Sequence, residues 1–250
     1  MNNPIIALWT HPRSVSTAFE RIMLERGDMK ILHEPFSYLY YFKEKKAAAI
    51  AYQSNENSEQ PRCYEEIKKN IIDVSNKTPV FFKDMCYHCY DDLINDDNFL
   101  KMMKNTFLIR DPAKSIPSHF KMNPDVTLDE IGYEKEYNLF QKVANLTGTS
   151  PTIIDSQDLI QNPHIIIKKY CESLNLPFIE NSLNWEKGHK KEWDTWKYWH
   201  KSVSSSKKIE KIESIYQENI ENNKKIRDYY NHHLPFYNKL FKSRKILEHL

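Results

Sequence analysis

PIIALWTHPRSVSTAFERIMLER (4–26) is the stretch that decides the architecture. Residues 4–9 form an unbroken apolar run, the composition of a strand covered on both faces. Residues 16–26 follow with Phe19, Ile22 and Met23 at helical spacing. A buried strand feeding a helix through a short turn opens a βα unit, and similar units recur downstream. MKILH (29–33), TPVFFKD (78–84), TFLIRD (106–111) and TIID (152–155) read as further strands. Helices are expected over 37–53, 65–74, 127–146 and 156–175, the last broken at Pro163. SNENSEQP (54–61) is a polar loop. The alternation predicts an α/β fold, a parallel sheet flanked by helices. Residues 1–250 read as one domain, with an α/β core over 1–179 and a Trp-rich, helical extension over 180–250.

Composition narrows the function classes. Of 250 residues, 40% are hydrophobic and 28% charged, which supplies a core and excludes chain-wide disorder. Lys and Arg number 36 against 34 Asp and Glu, a net charge of +2, so any anion recognition must be local. With four glycines, none placed for G-x-G-x-x-G or a Walker-type loop, a glycine-rich nucleotide cradle is excluded. No secretory leader and no apolar run of the ~20 residues needed to span a bilayer is legible, so no membrane association is expected. Four cysteines fit a reducing, cytoplasmic setting better than a disulfide framework.

The turn Thr10-His11-Pro12-Arg13-Ser14-Val15-Ser16-Thr17 gathers hydroxyls around one cation. A strand-to-helix turn aims backbone N–H groups and the positive end of the helix at one point. A single cap needs one hydroxyl; three beside an arginine suit a phosphate or sulfate. The segment resembles the 5′-phosphosulfate loop, T-x-P-[KR]-S-x-[ST]-T, of sulfotransferases that use 3′-phosphoadenosine 5′-phosphosulfate (PAPS). The form HPRSxSTAFER is most similar to a bacterial small-molecule branch. Some members of that branch carry aminotransferase-like names, which would imply pyridoxal phosphate; no Schiff-base lysine site is legible. The resemblance implies a three-layer, P-loop-like sheet and an EC 2.8.2 type of sulfotransferase. It assigns Arg13, Ser14, Val15, Ser16 and Thr17 to the 5′-phosphosulfate.

FLIRDPAKSIPSHF (107–120) carries an arginine at a strand end and a serine eight residues later. A ribose 3′-phosphate asks for a guanidinium fork and a hydroxyl, and the resemblance assigns it Arg110 and Ser118. The plain alternative pairs Arg110 with Asp111 or a neighbouring carboxylate. DSQDLIQNPHIIIKKYCESLNLPF (155–178) extends the resemblance over a mostly structural stretch.

Sulfuryl transfer needs a cation on the leaving oxygen, donors on the sulfuryl oxygens and a base for the acceptor. The transferred group carries less charge than the γ-phosphate of ATP, so no bridging metal is required and none is expected. Arg13 and Lys83 are the expected catalytic cations, the latter resembling the family's active-site lysine; the plain alternative for Lys83 is a strand-end ion pair with Asp84 or another acid. Relatives with K-T-H take their base from a histidine two residues past the lysine, where this chain has Met85. Glu34 in LHEPF resembles the glutamate that other bacterial branches place at this strand end and is the first candidate base; His88 is the second and His33 a weaker third, with substrate-assisted transfer or no base as the alternative. Cys86 and Cys89 form a C-x-x-C without a second ligand pair, and read as two small, partly buried thiols rather than a metal or redox site.

Four of the five tryptophans lie in 184–208, interleaved with Lys and His. A lid over cofactor and acceptor is favoured over a nucleic-acid surface, so no nucleic-acid partner is expected. Trp199, Ser202, Val203 and Ser206 match the W-Y-x-S-V-x-x-S-T-G-F loop of relatives, while Lys207-Lys208-Ile209 replaces T-G-F. Ser206, Lys207 and Lys208 are accordingly candidate cofactor contacts. Ala18 replaces the tryptophan that many relatives place on the adenine. Ile209, Ile212, Ile215, Tyr216 and Ile220 have helical spacing and read as a packing face, with a homodimer seam as the alternative. The partner expected is a small-molecule acceptor. A P-loop-type small-molecule kinase and a non-catalytic nucleotide or nucleic-acid binder remain as competing readings.

Overall fold

A computed structural model describes residues 3–43, 60–211 and 215–244 of the chain. The five predicted strands form one parallel sheet: β1 (Ile5–Thr10), β2 (Lys30–His33), β3 (Val80–Met85), β4 (Met103–Ile109) and β5 (Thr152–Asp155). Their order is β2-β3-β1-β4-β5. From β1 the chain first builds one side of the sheet, then crosses to the other. A crevice therefore opens beyond the carboxyl end of β1, where open α/β sheets take ligands. The register places Thr10 opposite Met85 on one side and Leu108 on the other, so the segments leaving β1, β3 and β4 meet at that rim.

Helices α1 (Ser16–Glu25), α2 (Tyr64–Ser75), α3 (Pro112–Met122), α4 (Tyr133–Thr147), α5 (Ser156–Gln161), α6 (Pro163–Ser173) and α7 (Lys224–Ser243) flank the sheet. Side chains alternate along β1, and both faces are covered. Ile5, Ala7 and Trp9 face Ile67 and Ile71 of α2 and Leu139 and Phe140 of α4. Ile6 and Leu8 face Phe19 and Ile22 of α1 and Ile166 and Tyr170 of α6. That two-sided burial is why the strand reads as a continuous apolar run. Among the described residues, no helix is long and apolar enough to cross a membrane.

The single helix expected over 127–146 is two pieces. Leu128–Ile131 begins with a Thr127/Glu130 capping box, and Gly132, at φ +88°, turns the chain into α4. A Cβ on Gly132 would lie 3.4 Å from both the His11 Cβ and the Tyr87 ring, so glycine serves the backbone twist and a close approach to the loop after β1. The break at Pro163 falls where proline's missing N–H is tolerated, at the start of α6. Of the helix expected over 37–53, a π-helical turn spans Leu39–Lys43; residues 44–53, and 54–59 of the next loop, lie outside the described residues. The isoleucine stripe of 209–220 is not one helix face. Ile209 is buried against the sheet, Ile215 is 97% exposed, Ile212 lies outside the described residues, and the helix of this region is α7 instead. Tertiary burial overrides the local spacing there.

Glu136 on α4 is fully buried, neither carboxylate oxygen has a hydrogen-bond partner among the described residues, and burial pushes its pKa well above the carboxylate range. The folded state therefore holds a proton that the unfolded chain releases near pH 4.5, and stability declines as pH rises through the window above that value. Glu136→Met removes the orphaned acid at similar volume. It should raise stability at pH 8 by about 1–3 kcal/mol and flatten that decline, read by urea unfolding at several pH values.

Candidate functional site

A cavity of about 280 Å³ occupies the carboxyl rim of the sheet. Its floor is the loop between β1 and α1. Arg13 and Val15 there have φ of +63° and +75°, a strained left-handed conformation for non-glycine residues. Such left-handed steps turn successive N–H groups toward one concavity. Val15 is the N-cap of α1, and no side chain caps the first turn. The plain alternative, in which Ser16 or Thr17 spends its hydroxyl on the helix, is absent, and the positive end of α1 opens into the cavity. The Ser14 hydroxyl instead turns inward to Thr10 (2.5 Å). Ser16 and Thr17 line the cavity; Ser14 does not.

Two motifs far apart in sequence meet on this floor. The Arg13 Nε donates to the Ser118 hydroxyl on α3 (3.0 Å), and the Arg110 guanidinium, just past β4, donates to the Arg13 carbonyl (2.8 Å). His11 joins them. Its Nε2 accepts from the Arg110 N–H (3.0 Å), its Nδ1 meets the Pro12 carbonyl (3.0 Å), and its ring stacks on Tyr133 at 3.9 Å. Burial pulls the His11 pKa to about 3, so the neutral ring accepts that bond at neutral pH. Asp111 does not pair with Arg110; its carboxylate caps α3 at the Ala113 N–H (2.8 Å). Among the described residues, no carboxylate forms an ion pair with Arg13 or Arg110. Burial, with Arg110 close by, lowers the Arg13 pKa. Two adjacent guanidiniums with no carboxylate paired to them among the described residues make the floor electropositive.

The wall opposite comes from β2 and β3. Successive strand residues point to opposite faces, so Lys83 and Asp84 part company. Lys83 donates to the Glu34 carboxylate, not to Asp84. Burial opposes ionisation of Glu34, but Lys83 and then His33 outweigh it and hold the carboxyl well below its usual range. Glu34 itself has φ of +41°. Asp84 is fully buried and accepts from the Phe36 N–H (2.7 Å), the Met85 N–H (2.9 Å) and His88 Nδ1 (2.6 Å). Burial raises the Asp84 pKa, with His88 partly offsetting it. His88 lines the cavity, and its Nε2 is buried without a hydrogen-bond partner among the described residues. Cys86 and Cys89 are buried free thiols whose pKa values burial pushes well up, which makes them inert.

The Trp-rich segment closes the top. Trp185, Trp193 and Trp196 are buried, and Trp196 and Trp199 line the cavity. Arg21 holds the base of the segment through the Glu186 (3.1 Å) and Gly188 (3.4 Å) carbonyls. Further on, His200 meets the Thr17 hydroxyl (3.2 Å) and His33 Nε2 (3.0 Å). Ligand atoms of His33, Glu34 and His200 lie within 4.8 Å of one another, but Lys83 takes up Glu34 and the imidazoles bond to each other, so these groups satisfy one another without an ion. Ser206 and Lys208 line the cavity, whereas Lys207 is turned to Glu186 (3.2 Å).

Arg13, Val15, Ser16, Thr17, Glu34, Lys83, His88, Arg110, Ser118, Ser206 and Lys208 thus share one cavity. His11, Asp84, His119 and His200 were missed. Asp84 was legible in principle, four residues before His88 on the far side of an alternating strand. His119, whose pKa burial and Arg13 lower to about 3, gave no signal, because only the folded α3 brings it to Arg13.

Residues 4–245 match a family profile described as a sulfotransferase domain. Two proteins of Arabidopsis thaliana, named branched-chain-amino-acid aminotransferase-like proteins 2 and 1, are 28% identical over 210 residues and 27% over 207. Each match covers 81% of this chain but 36% of the relative, so the chain spans about a third of the length of these curated relatives. A solved sulfotransferase from Alicyclobacillus acidocaldarius shares the fold, with a TM-score of 0.52 at 10% identity over 98% of each chain. The profile runs across nearly the whole chain, over a sheet and helices built alike, and the chain belongs to the sulfotransferase domain family.

Proposed function

We propose that the domain transfers a sulfuryl group from PAPS to a hydroxyl or amino group of a small molecule, in line and without a metal. The observation that carries this reading is the contact between Arg13, Arg110 and Ser118 at the uncapped start of α1, with no carboxylate among the described residues paired to either guanidinium. On this reading the 5′-phosphosulfate lies on Arg13, Ser16, Thr17 and the loop N–H groups, and the 3′-phosphate on Arg110 and Ser118. Ala18, Ile160, Val203 and Ile209 supply an apolar bed for the adenine.

The acceptor enters beside Tyr41, Tyr87 and Trp196, against the opposite wall. Its oxygen or nitrogen forms the new bond to sulfur while the bond from sulfur to the 5′-phosphate oxygen breaks. Arg13 and Lys83 offset charge on that leaving oxygen. The acceptor proton goes to His88 Nε2, and Asp84 orients the ring and stabilises the imidazolium. Glu34 is the poorer base because the Lys83 ammonium stabilises its ionised form; its part is to hold Lys83. The buried tryptophans support the lid reading over a nucleic-acid surface, and four free thiols support a cytoplasmic setting.

Adding 3′-phosphoadenosine 5′-phosphate should raise the melting temperature, as any ligand selective for the native state does. Arg110→Ala should weaken binding of that nucleotide by about 10–100-fold while changing that of adenosine 5′-phosphate several-fold at most. Equal losses for both nucleotides would remove the 3′-phosphate assignment. The acceptor is sought by a PAPS-dependent screen of cell extract for metabolites that gain a sulfuryl group.

A further inference from the structure

One hydrogen-bonded chain runs from the anion floor into the protein. The Thr17 hydroxyl meets His200 Nδ1 (3.2 Å), His200 Nε2 meets His33 Nε2 (3.0 Å), and His33 Nδ1 meets the Glu20 carboxylate (2.9 Å). Trp193 Nε1 donates to that carboxylate as well (2.7 Å). His33, His200 and Glu20 are all buried. Donor counting ties the state of His200 Nδ1 to the number of protons on the pair. His33 Nδ1 donates to Glu20 throughout. With one proton per imidazole, His200 Nε2–H donates to His33, and Thr17 must spend its hydroxyl proton on His200 Nδ1. Thr17 then shows only lone pairs to an anion. With one more proton on the pair, the central bond can run in either direction, and in both cases a hydrogen on His200 Nδ1 points to the floor. The Thr17 proton is free to turn the same way.

We propose that the His33–His200 pair takes up one proton from solvent when the anionic donor binds, so that His200 becomes a ligand of the donor anion. The proposal rests on the PAPS reading of the floor. One added proton supplies two hydrogen-bond donors where charge arrives, Thr17 Oγ1–H and His200 Nδ1–H. The surroundings fit both states. Around the pair stand Glu34 from β2, Lys83 from β3, Arg13 from the loop, Thr17 and Glu20 from α1, and Trp193 from the tryptophan segment. Without an anion, burial, then His33 and Lys83, hold the His200 pKa well below 6.5, with Glu34 acting in the opposite sense. An incoming anion reverses the local balance, and Glu20 (2.9 Å) and Glu34 (3.9 Å) stand ready on either side of the His33 ring. Because His200 sits on the tryptophan segment, the same bond ties that segment to the occupied floor.

The test is calorimetric binding of 3′-phosphoadenosine 5′-phosphate to the full chain, in two buffers of different ionisation enthalpy. It is run above pH 7, where the second phosphate ionisations near pH 6 are complete. Wild type should take up about one proton per nucleotide, and its Kd should rise up to about tenfold from pH 7 to pH 8. His200→Gln keeps a polar side chain that does not titrate; it should bind with no net uptake and a flat Kd over that interval. Binding by wild type without uptake overturns the proposal and leaves the PAPS reading standing, as does uptake that persists in His200→Gln. No binding by wild type overturns both. If His200→Gln fails to fold, the wild-type proton count and pH slope decide alone.

Discussion

His88→Gln is expected to lower kcat by about 10²–10⁴-fold while changing nucleotide affinity no more than about twofold, measured with the acceptor that the extract screen identifies. The imidazole combines three features seen together in general bases: a buried carboxylate on one nitrogen, a second nitrogen with no partner among the described residues, and a place on the cavity wall. Asp84→Asn should lose a comparable factor with the His88 side chain intact, because an amide no longer fixes the tautomer or stabilises the imidazolium. Glu34→Gln separates the two candidate bases. If its kcat falls as far as that of His88→Gln and its thermal stability is unchanged, Glu34 rather than His88 receives the proton.

Lys83→Met is expected to cost about 3–5 kcal/mol of stability and to abolish detectable turnover. The stability loss comes from Glu34, whose buried carboxylate is left without its cation. Adding Glu34→Gln should restore most of the stability and none of the turnover, which separates the two roles of the lysine. The pH dependence gives a second readout with opposite signs. In wild type the Glu34 pKa is lowered on folding, so its contribution is present above the unfolded value of 4.5 and is lost as pH falls below it. In Lys83→Met the unpaired carboxyl is better buried with its proton, so that variant should regain stability as pH falls toward 5. Urea midpoints between pH 4.5 and 8 for the two single variants and the double variant check this. Equal slopes in wild type and Lys83→Met would mean that the pair contributes little.

The strands were legible because burial on both faces leaves apolar runs that local reading detects, as in residues 5–9 and 80–82. The cationic floor was legible because Arg13 with three hydroxyls exceeds what a helix cap uses, and because Arg110 and Ser118 repeat a family spacing. Less was legible where partners come from remote elements. That Lys83 could pair with Asp84 or another acid was legible, but only strand alternation selects Glu34, forty-nine residues away. His200 looked like one more residue of an aromatic tail, and its contact with Thr17 spans 183 positions.

By itself, then, the amino-acid order determined the parallel α/β sheet, the turn after β1 and the identity of the cations that face it. These depend on local composition: apolar runs, chain-breaking residues and hydroxyls clustered at a helix start. Only the tertiary structure decided which acid holds which base, that Asp84 orients His88, and that the tryptophan segment bonds to the loop through His200. Those pairings depend on the sheet order β2-β3-β1-β4-β5 and on burial, which sets the cost of leaving any of these charges unmatched.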